Sequence, residues 1–404
     1  MTKDKPLLLV FASTYPRWIG DPEPAFVHEL SRRLAAEYAV HVLCPHAPES
    51  KTFEVIDGVS IHRFRYAPKQ FETLVQNGGI LNNLKKDKWK YLLLPFFFIG
   101  MFIKAGSLIS KLKPKLIHVH WIIPQGLVLA FLSVFMSLPP MLITSHGGDL
   151  FALKGRIFLK IKAWVLSKFS SVTVVSELMK IEVKKLGVTP ERIRVIPMGV
   201  DFNGKFCPAP STQRNSNEIL FVGRLVEKKG VEFLIKALPL VAESLPLISL
   251  TVAGYGPELE KLKRLAIDLH IEKRVNFLGA VKQTELPALY NRCGLFVAPF
   301  VEAVSGDQEG FPVSVVEAIA CETPIITSRL AVLVDAFGRY AEELTCDVKN
   351  IDEFAEKIVR ALSNLENSKL SVKSLRQDFI NTLDWRQVSY FYNLSLNSIF
   401  KNED

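Results

Sequence analysis

Two basic residues follow a short apolar run in the second half of the sequence. The run Ile219–Val222 leads directly into Gly223 and Arg224, and Lys229 stands just before a segment with helical periodicity. Glycine lets a backbone turn closely, and fixed cations before a helix N-terminus form an anion site of about diphosphate size. Gly223, Arg224 and Lys229 are therefore candidates for holding a diphosphate. A solvated basic loop is the alternative.

Two carboxylates occur eight positions apart in the segment EGFPVSVVEA, at Glu309 and Glu317. Pro312 suits the first position of a helix, so Glu309 falls in the entering loop and Glu317 inside the helix. Glu317 shares its predicted helix face with Val313 and Val316, and a carboxylate there is costly unless it has a partner. We expect Glu317 to be partnered or functional; an exposed glutamate at a helix edge is the alternative.

Histidines occur at the ends of two apolar runs in the first half. His118 and His120 lie in the run Leu116–His120, and His146 follows a second run in a stretch with two glycines. A side chain in such a loop can reach a substrate, so His146 is a candidate contact; a loop histidine bonded to Asp149 is the alternative. His118 and His120 share a strand face, but no third ligand lies nearby, so no metal is expected.

A glycine-containing segment, VAGYGPE, imitates a dinucleotide-binding loop. The third glycine of that fingerprint is replaced by Leu259, and no acidic residue follows at the usual interval. We predict a tight turn between a strand and a helix here.

Short apolar runs alternate with helical segments along the whole chain and must position these residues. The predicted strands are Leu7–Phe11, Val40–Cys44, Leu116–His120, Met141–Ser145, Val172–Val175, Arg194–Ile196, Ile219–Val222, Ser249–Ala253, Val275–Leu278, Leu295–Ala298 and Pro324–Ser328. This alternation predicts an α/β fold with two parallel-sheet domains, in which ligands collect at the carboxyl ends of strands. The first domain covers 1–200, a polar linker covers 201–217, and the second domain covers 218–383. A final helix over 384–402 is expected to pack back on the first domain.

The composition limits the class of protein. The chain has 404 residues with 49% apolar and 23% charged composition, which excludes disorder, collagen and coiled coil. The longest nearly unbroken apolar run, Tyr91 to Ile103, is shorter than the ~20 residues of a spanning helix, so no transmembrane segment is expected. Met1 to Pro6 lack a signal-type apolar core, and five spaced cysteines form no CxxC pair. A cytoplasmic protein without structural zinc is predicted.

The net charge of +9 is unevenly distributed. Residues 1–200 hold 27 Lys and Arg against 14 Asp and Glu, and residues 201–404 hold 23 against 27. Lys85 to Phe98 combine a basic, tryptophan-bearing stretch with an apolar segment, which suits contact with an anionic membrane surface. A core helix with a solvated basic entry is the alternative.

Together these motifs resemble the retaining glycosyltransferases of family GT4, which have the GT-B fold. GRLVEKKG, VAGYGPE, VNFLGAV and EGFPVSVVEA occur in the family's order from about Ile219 to Ser328, and LIHVHW, TSHGGD and VIPMGVD match more thinly in the first half. The resemblance implies two Rossmann-like domains facing a central cleft. It implies transfer of a sugar, with retention and without metal, from a UDP- or GDP-sugar to a glycan or lipid-linked acceptor. Bacterial members of this type build surface polysaccharides.

The resemblance also implies roles for individual residues. Arg224 and Lys229 would stabilise the leaving diphosphate, and Glu317 would bind the ribose hydroxyls. Glu309 would bind the donor sugar, and His146 would lie near its 6-position. The further implied donor contacts are Gly223, Val281, Gly310, Phe311 and Pro312, and the implied acceptor or cleft residues are Gly20, His120 and Asp149. Gly20 stands alone where many members have a glycine cluster.

Three other functions remain open at this point. A sugar-nucleotide epimerase of the same fold would convert the donor without an acceptor, and a non-catalytic module would bind a nucleotide sugar without consuming it. A nucleic-acid binder would explain the basic half, but its basic residues are not interleaved with stacking aromatics in a recognised module. Product analysis with the donor alone separates the first two from a transferase, and filter binding tests the third.

Overall fold

The computed structural model describes residues 5–21, 25–75, 79–151, 153, 155–304 and 306–401. Met1 to Asp4 of the N-terminal segment and residue 402 of the predicted last helix lie outside the described residues, as does the side chain of Lys85. The chain divides into two compact units. Unit 1 comprises Met1–Met198 and Arg386–Asp404, and unit 2 comprises Gly199–Trp385.

Unit 1 is built on an eight-stranded sheet. Its strands are β1 (Leu7–Phe11), β2 (Ala39–Pro45), β3 (Phe53–Ile56), β4 (Val59–Phe64), β5 (Leu116–His120), β6 (Met141–Ser145), β7 (Ser171–Val174) and β8 (Ile193–Val195). They lie in the order β3-β4-β2-β1-β5-β6-β7-β8. Its helices are α1 (Phe26–Leu34), α2 (Ile80–Lys86), α3 (Leu93–Leu112), α4 (Leu127–Phe135), α5 (Gly148–Phe151), α6 (Arg156–Ser167) and α7 (Glu177–Lys185).

One strand pair of this sheet was not predicted. β3 pairs antiparallel with β4, whereas the other neighbouring strands run parallel. Asp57 and Gly58 form the turn with φ values of 49° and 77°. This left-handed conformation suits an Asp-Gly dipeptide in a two-residue hairpin, so the sequence carried a signal for it.

Helix α3 is longer than the apolar run indicated. A 3₁₀ turn, Lys88–Leu92, leads directly into its 20 residues. The helical stretch Lys88–Leu112 is long and apolar enough to cross a membrane, with a mean hydropathy of 2.0 in its most apolar window, of which 33% is buried. The helix is longer than the 13-residue apolar run because it continues through Lys104, and the absence of a transmembrane segment stays a prediction.

Unit 2 contains a six-stranded sheet whose pairs are all parallel. Its strands are β9 (Asn215–Val222), β10 (Ser249–Ala253), β11 (Val275–Gly279), β12 (Cys293–Ala298), β13 (Ile325–Ser328) and β14 (Thr345–Cys346), in the order β11-β10-β9-β12-β13-β14. Its helices are α8 (Val231–Ser244), α9 (Leu259–Asp268), α10 (Leu286–Arg292), α11 (Val313–Ala320), α12 (Ala331–Phe337), α13 (Ala341–Leu344), α14 (Ile351–Ser363) and α15 (Leu365–Leu383). Two buried apolar clusters form its core.

The boundary between the units differs from the predicted linker over 201–217. Phe202 and Phe206 are buried in the core of unit 2, and β9 begins at Asn215. The polar composition of this stretch gave no indication that these two rings are buried. The chain returns to unit 1 through the last helix, α16 (Trp385–Phe400).

The two ends of unit 2 meet. The Val200 N–H donates to the Leu383 carbonyl at 2.9 Å, and the Trp385 N–H donates to the Val200 carbonyl at 3.1 Å. A Cβ at Gly199 would lie 2.4 Å from the Trp385 ring. Glycine is therefore required where the chain enters the unit.

Candidate functional site

The loop after β9 is held close to the end of β12. Gly230 has φ of +62°, and a Cβ there would lie 1.8 Å from the Pro299 carbonyl oxygen. The Val301 N–H donates to the Lys228 carbonyl at 2.9 Å. Because β9 and β12 are neighbours in the sheet, these contacts join the loops at their carboxyl ends into one rigid surface.

The VAGYGPE segment supports the same loop from its other side. A Cβ at Gly254 would lie 1.8 Å from the Gly223 carbonyl oxygen, and one at Gly256 would lie 2.3 Å from that of Leu225. The Leu225 N–H donates to the Tyr255 carbonyl at 2.8 Å. The segment is the predicted tight turn. Its glycines allow the close approach that fixes the backbone on either side of Arg224.

Ion pairs join the loops after β9 and β12. Lys229 Nζ lies 2.6 Å from Glu309 Oε2, and Lys228 Nζ lies 3.1 Å from Asp307 Oδ1. Lys229 also stands over the Phe300 ring, 4.3 Å from its centroid. Only 13% of the Lys229 side chain and 12% of the Glu309 side chain are exposed. Buried charges are stable only when paired, so these cations are held in place before any substrate arrives.

The electrostatics of the pair involve Arg224 as well. Burial alone would raise the pKa of Glu309, but the charges of Lys229, Lys228 and Arg224 outweigh it and lower that pKa. Burial lowers the pKa of Lys229, and the Glu309 carboxylate opposes the change. The charges of Arg224, Lys228 and Lys229 all act on the Glu309 carboxylate, so these residues form a cationic site with one carboxylate.

Glu317 is buried inside α11 and has a partner. The Tyr290 hydroxyl of α10 donates to Glu317 Oε2 at 2.9 Å, and both side chains are buried. Burial raises the pKa of Glu317 to about 7, against the opposing hydrogen bond from Tyr290 and the charge of Lys205. The sequence predicted that this carboxylate is partnered or functional, but it did not indicate Tyr290, which is 27 residues away.

The other predicted donor residues lie around α11. Pro312 occupies the N-cap position rather than the first helical one, and Gly310 is buried in the entering loop. Phe311 and Val281 both pack against the apolar cluster that contains Tyr290. The loop after β11 and the loop before α11 thus converge on one part of the core.

In unit 1, His146 and His120 form a stacked pair. His146 Nε2 and His120 Nδ1 lie 2.9 Å apart, with ring centroids 5.1 Å apart and planes 15° from parallel. Phe26 and Trp121 enclose His146 at centroid distances of 4.9 and 5.0 Å. Burial lowers the pKa of His146 to about 3 and also lowers that of His120. Both rings are therefore neutral at physiological pH.

Asp149 fixes the loop that carries His146. Its carboxylate accepts hydrogen bonds from the Ser145 hydroxyl at 2.9 Å, from the His146 N–H at 3.2 Å and from the Ile122 N–H at 2.7 Å. Burial raises its pKa, and these three donors oppose the rise. The bond between a loop histidine and Asp149 is present through the backbone N–H of His146, whereas the His146 ring bonds to His120.

A third histidine extends the pair into the core. His118 Nε2 bonds to Thr144 Oγ1 at 2.8 Å, and its ring lies 5.4 Å from that of Tyr392 in α16. Burial lowers its pKa to about 3. Among the described residues, His118 Nδ1, His120 Nε2 and His146 Nδ1 have no hydrogen-bond partner. The support from Tyr392 was missed, since 274 positions separate it from His118 in sequence.

Gly20 is apart from these contacts. It lies in an exposed turn closed by the Asp21 N–H and the Trp18 carbonyl, and a Cβ there would meet nothing within 4 Å. Within the described residues, no group of three or more His, Cys, Asp or Glu side chains is arranged to hold a metal ion.

Two α/β units, each with polar side chains at the carboxyl ends of its central strands, define the GT-B class of fold. Glycosyltransferase Family 4 matches residues 25–203, and Glycosyl transferases group 1 matches residues 208–381. Together the two matches span most of the sequence. The chain belongs to the GT4-type glycosyltransferases and is an enzyme of that family.

Known proteins of similar sequence agree with this assignment. A glycogen synthase of Mycobacterium tuberculosis is 25% identical, over 95% of this chain and 92% of its own. A GDP-mannose-dependent alpha-(1-6)-phosphatidylinositol monomannoside mannosyltransferase of Mycolicibacterium smegmatis is 33% identical over 33% of this chain and 37% of its own.

Solved structures share the fold at lower identity. Sucrose-phosphate synthase from Thermosynechococcus elongatus has a TM-score of 0.78 at 18% identity, covering 98% of this chain and all of its own. Anabaena HepE, solved in complex with UDP and glucose, has a TM-score of 0.72 at 17% identity, covering 97% of this chain and all of its own. These likenesses confirm the predicted fold class.

Proposed function

We propose that this chain transfers a sugar from a UDP- or GDP-sugar to a hydroxyl of a glycan or lipid-linked acceptor, in the synthesis of cell-surface polysaccharide or lipopolysaccharide. The observation that supports the donor is the cationic site of Arg224, Lys228 and Lys229 in the loop after β9, where two of these cations are already paired with carboxylates of the loop after β12. Complexes of HepE with UDP and UDP-glucose support a nucleotide-sugar donor.

The chemistry requires stabilisation of a leaving diphosphate. Breaking the bond between the anomeric carbon and oxygen develops negative charge on the diphosphate and positive charge on the sugar. Cations fixed in a water-poor site stabilise that charge more in the transition state than in the ground state. Lys229 is already desolvated and paired with Glu309, so a diphosphate that binds there replaces one anionic partner with another.

Retention of configuration is part of the proposal. In unit 1, His120 and His146 are neutral and paired with each other, and no protein nucleophile is assigned to the anomeric carbon. The departing phosphate would accept the proton of the acceptor hydroxyl on the same face of the sugar. Glu309 and the amides of Gly310 and Phe311 would hold the sugar hydroxyls, while Glu317 would hold those of the ribose.

The proposed location is the cytoplasm, at the cytosolic face of a membrane. Residues 1–200 carry 27 basic against 14 acidic side chains, an excess that attracts anionic surfaces. The basic residues of this half do not form a recognised nucleic-acid-binding module with interleaved stacking aromatics, which favours a lipid-linked acceptor over RNA or DNA.

A donor screen tests the proposal. The chain is heated with UDP, GDP and a panel of their sugars, because a ligand that binds only the folded state raises the melting temperature. The best donor is then incubated with and without lipid and glycan extracts, and its products are analysed. Two results together support a retaining transferase. Nucleotide release requires an acceptor, and the anomeric configuration of the product matches that of the donor sugar. A new sugar nucleotide from donor alone means an epimerase, and binding without turnover means a non-catalytic module.

A further inference from the structure

Helix α3 exposes an apolar stripe on unit 1. Phe96, Ile99 and Ile103 follow one another along its outer side with 60%, 55% and 63% of their surface exposed. The opposite side is apolar as well, with Phe97 and Met101 buried in the core. A helix that is apolar all round is typical of a protein interior or of a lipid environment.

The stripe continues onto two neighbouring helices. The rings of Phe102 in α3 and Phe135 in α4 pack edge to face, with centroids 6.2 Å apart. The centroids of Phe131 in α4 and Trp164 in α6 are 5.1 Å apart. Phe131 and Phe135 are 49% and 76% exposed. We call this continuous surface the apolar face. It consists of Leu92, Phe96, Ile99, Ile103, Phe131 and Phe135, which are all exposed.

The segments that carry the apolar face are strongly basic, although Asp87, which is paired with Lys90 at 2.9 Å, directly precedes them. Residues 88–168 contain eleven Lys and Arg, and their one acidic residue, Asp149, is buried in the histidine loop. Lys88, Lys160 and Lys168 are exposed on the same segments. Cations beside exposed aromatic and aliphatic side chains fit an anionic lipid surface, where the charges meet headgroups and the rings enter the interface.

The topology decides how this face meets a membrane. β4 precedes α3 and β5 follows it, and both strands belong to the same sheet. A Cβ at Gly100 would lie 2.5 Å from the Arg65 carbonyl oxygen just after β4, so the helix is pressed against the rest of unit 1. A helix held in this way does not leave the sheet to cross a bilayer, although its length and composition would allow it.

We propose that the apolar face inserts into one leaflet of an anionic membrane and holds unit 1 at its surface. Insertion would place the enzyme beside a lipid-linked acceptor. Only this purpose rests on the proposed function. The insertion itself is argued from exposure, continuity, charge and topology.

Flotation tests the insertion. The full chain is mixed at low salt with vesicles of phosphatidylcholine alone or of equal parts phosphatidylcholine and phosphatidylglycerol. We expect it to float with the anionic vesicles, and a variant with Phe96→Ser, Ile99→Ser and Ile103→Ser to float at least about tenfold less, because three inserted side chains are lost. The matched control changes three exposed apolar residues of unit 2, Leu247→Ser, Ile267→Ser and Leu370→Ser.

Fluorescence tests the depth of contact. Trp89 lies just before α3, is 46% exposed and contacts Phe71 at 5.9 Å. With anionic vesicles brominated in the acyl chains, we expect quenching in the wild type that is clearly smaller in Trp89→Phe. Flotation without any such difference would mean electrostatic adsorption only and would overturn the insertion.

The remaining outcomes are distinct. The proposal fails if the wild type stays at the bottom of the gradient, or if the α3 variant floats as well as the control. It also fails if light scattering shows a dimer that the α3 variant converts to a monomer, since a second copy then covers the face. A nucleotide-induced melting shift measured on the same samples separates these results from failure of the transferase proposal.

Discussion

The polar groups at the strand ends of the two units differ in charge state: the histidines of unit 1 are neutral, and the lysine and glutamate of unit 2 are charged. In unit 1, burial keeps His118 and His146 neutral, with pKa values of about 3. In unit 2, Lys229 and Glu309 are just as enclosed but remain a charged pair, because each supplies the other's counter-ion. A neutral polar surface suits sugar hydroxyls, and a fixed cationic surface suits a diphosphate. The comparison shows that burial sets the charge state only where no partner is provided.

The largest effect is expected from removing the cation in unit 2. Lys229→Ala should lower kcat by about 10²-fold or more, since a lost contact to developing charge costs a few kcal/mol, and Arg224→Ala should act in the same direction. Turnover is measured with the best donor from the thermal screen. Lys236→Ala is the matched control, because this lysine lies on α8 of the same unit and is 43% exposed. Near-normal turnover in both site variants, with unchanged melting temperature, would remove the diphosphate assignment.

A smaller loss is expected in unit 1. His146→Asn should lower kcat by roughly tenfold to a hundredfold, within the usual range for one positioned polar contact, while nucleotide affinity stays within about twofold of the wild type. Calorimetry and steady-state rates give the two quantities. His270→Asn, at an exposed position with φ of +56°, is the control. Equal loss of nucleotide affinity and turnover would place His146 in nucleotide binding and break the comparison between the units.

The third prediction concerns pH. The pKa of Glu317 is raised to about 7, so its carboxylate is protonated as the pH falls. If the carboxylate binds ribose hydroxyls, nucleotide affinity should weaken by up to about tenfold per pH unit below pH 6, and this dependence should disappear in Glu317→Gln. His146→Asn should retain it, since that histidine does not titrate near neutral pH. An unchanged profile in Glu317→Gln would assign the inflection to another group.

The same group makes a prediction that needs no ligand. Its pKa in the folded state is above the unfolded value, so the stability that protonation provides is present at low pH and is lost as the pH rises through about 7. Relative to Glu317→Gln, the wild type should therefore lose melting temperature between about pH 5 and pH 8. A difference that is constant across this range would show that Glu317 is not titrating in the folded protein.

The smallest effect is expected from the partner of Glu317. Tyr290→Phe removes a hydrogen bond that lowers the pKa of the carboxyl, so the inflection in nucleotide affinity should move to higher pH. The loss should be a few-fold at pH 7, about the value of one hydrogen bond to a charged group, and should vanish well above the new pKa. Tyr340→Phe in the same unit is the control. A loss that is independent of pH would indicate a packing defect.

Much of the fold could be predicted because buried parallel strands appear as continuous apolar runs. Leu7–Phe11, Leu116–His120, Met141–Ser145 and Ser249–Ala253 are strands with the predicted bounds. The hairpin around Asp57-Gly58 was predictable from its turn residues, but its strands alternate buried residues with more exposed ones and so lack a continuous apolar run. The stretch 201–217 was predicted as a linker because its two buried phenylalanines, Phe202 and Phe206, are outnumbered by polar neighbours in sequence.

The chemistry of the site was less accessible than its residue types. Spacing indicated Glu309, Glu317 and the cations, since each follows a strand or shares a helix face with apolar residues. It did not indicate that Lys229 and Glu309 pair, or that Tyr290 and Tyr392 support the glutamate and the histidines. Those contacts depend on which strands become neighbours, and single-sequence periodicity contains no information on that choice.

Unit 2 has the anatomy of an inserted module. Its two ends are joined by the hydrogen bonds of Val200 with Leu383 and Trp385, and the Trp385 ring closes over Gly199. A gene fragment for residues 199–385 therefore encodes a continuous chain with adjoining termini, which is the form in which domains are exchanged between proteins. Unit 1 is discontinuous and needs α16 supplied from beyond the insert. If unit 2 binds the donor as proposed, a chimera that receives residues 199–385 would acquire the donor specificity of the protein they come from, whereas unit 1 would need both of its pieces.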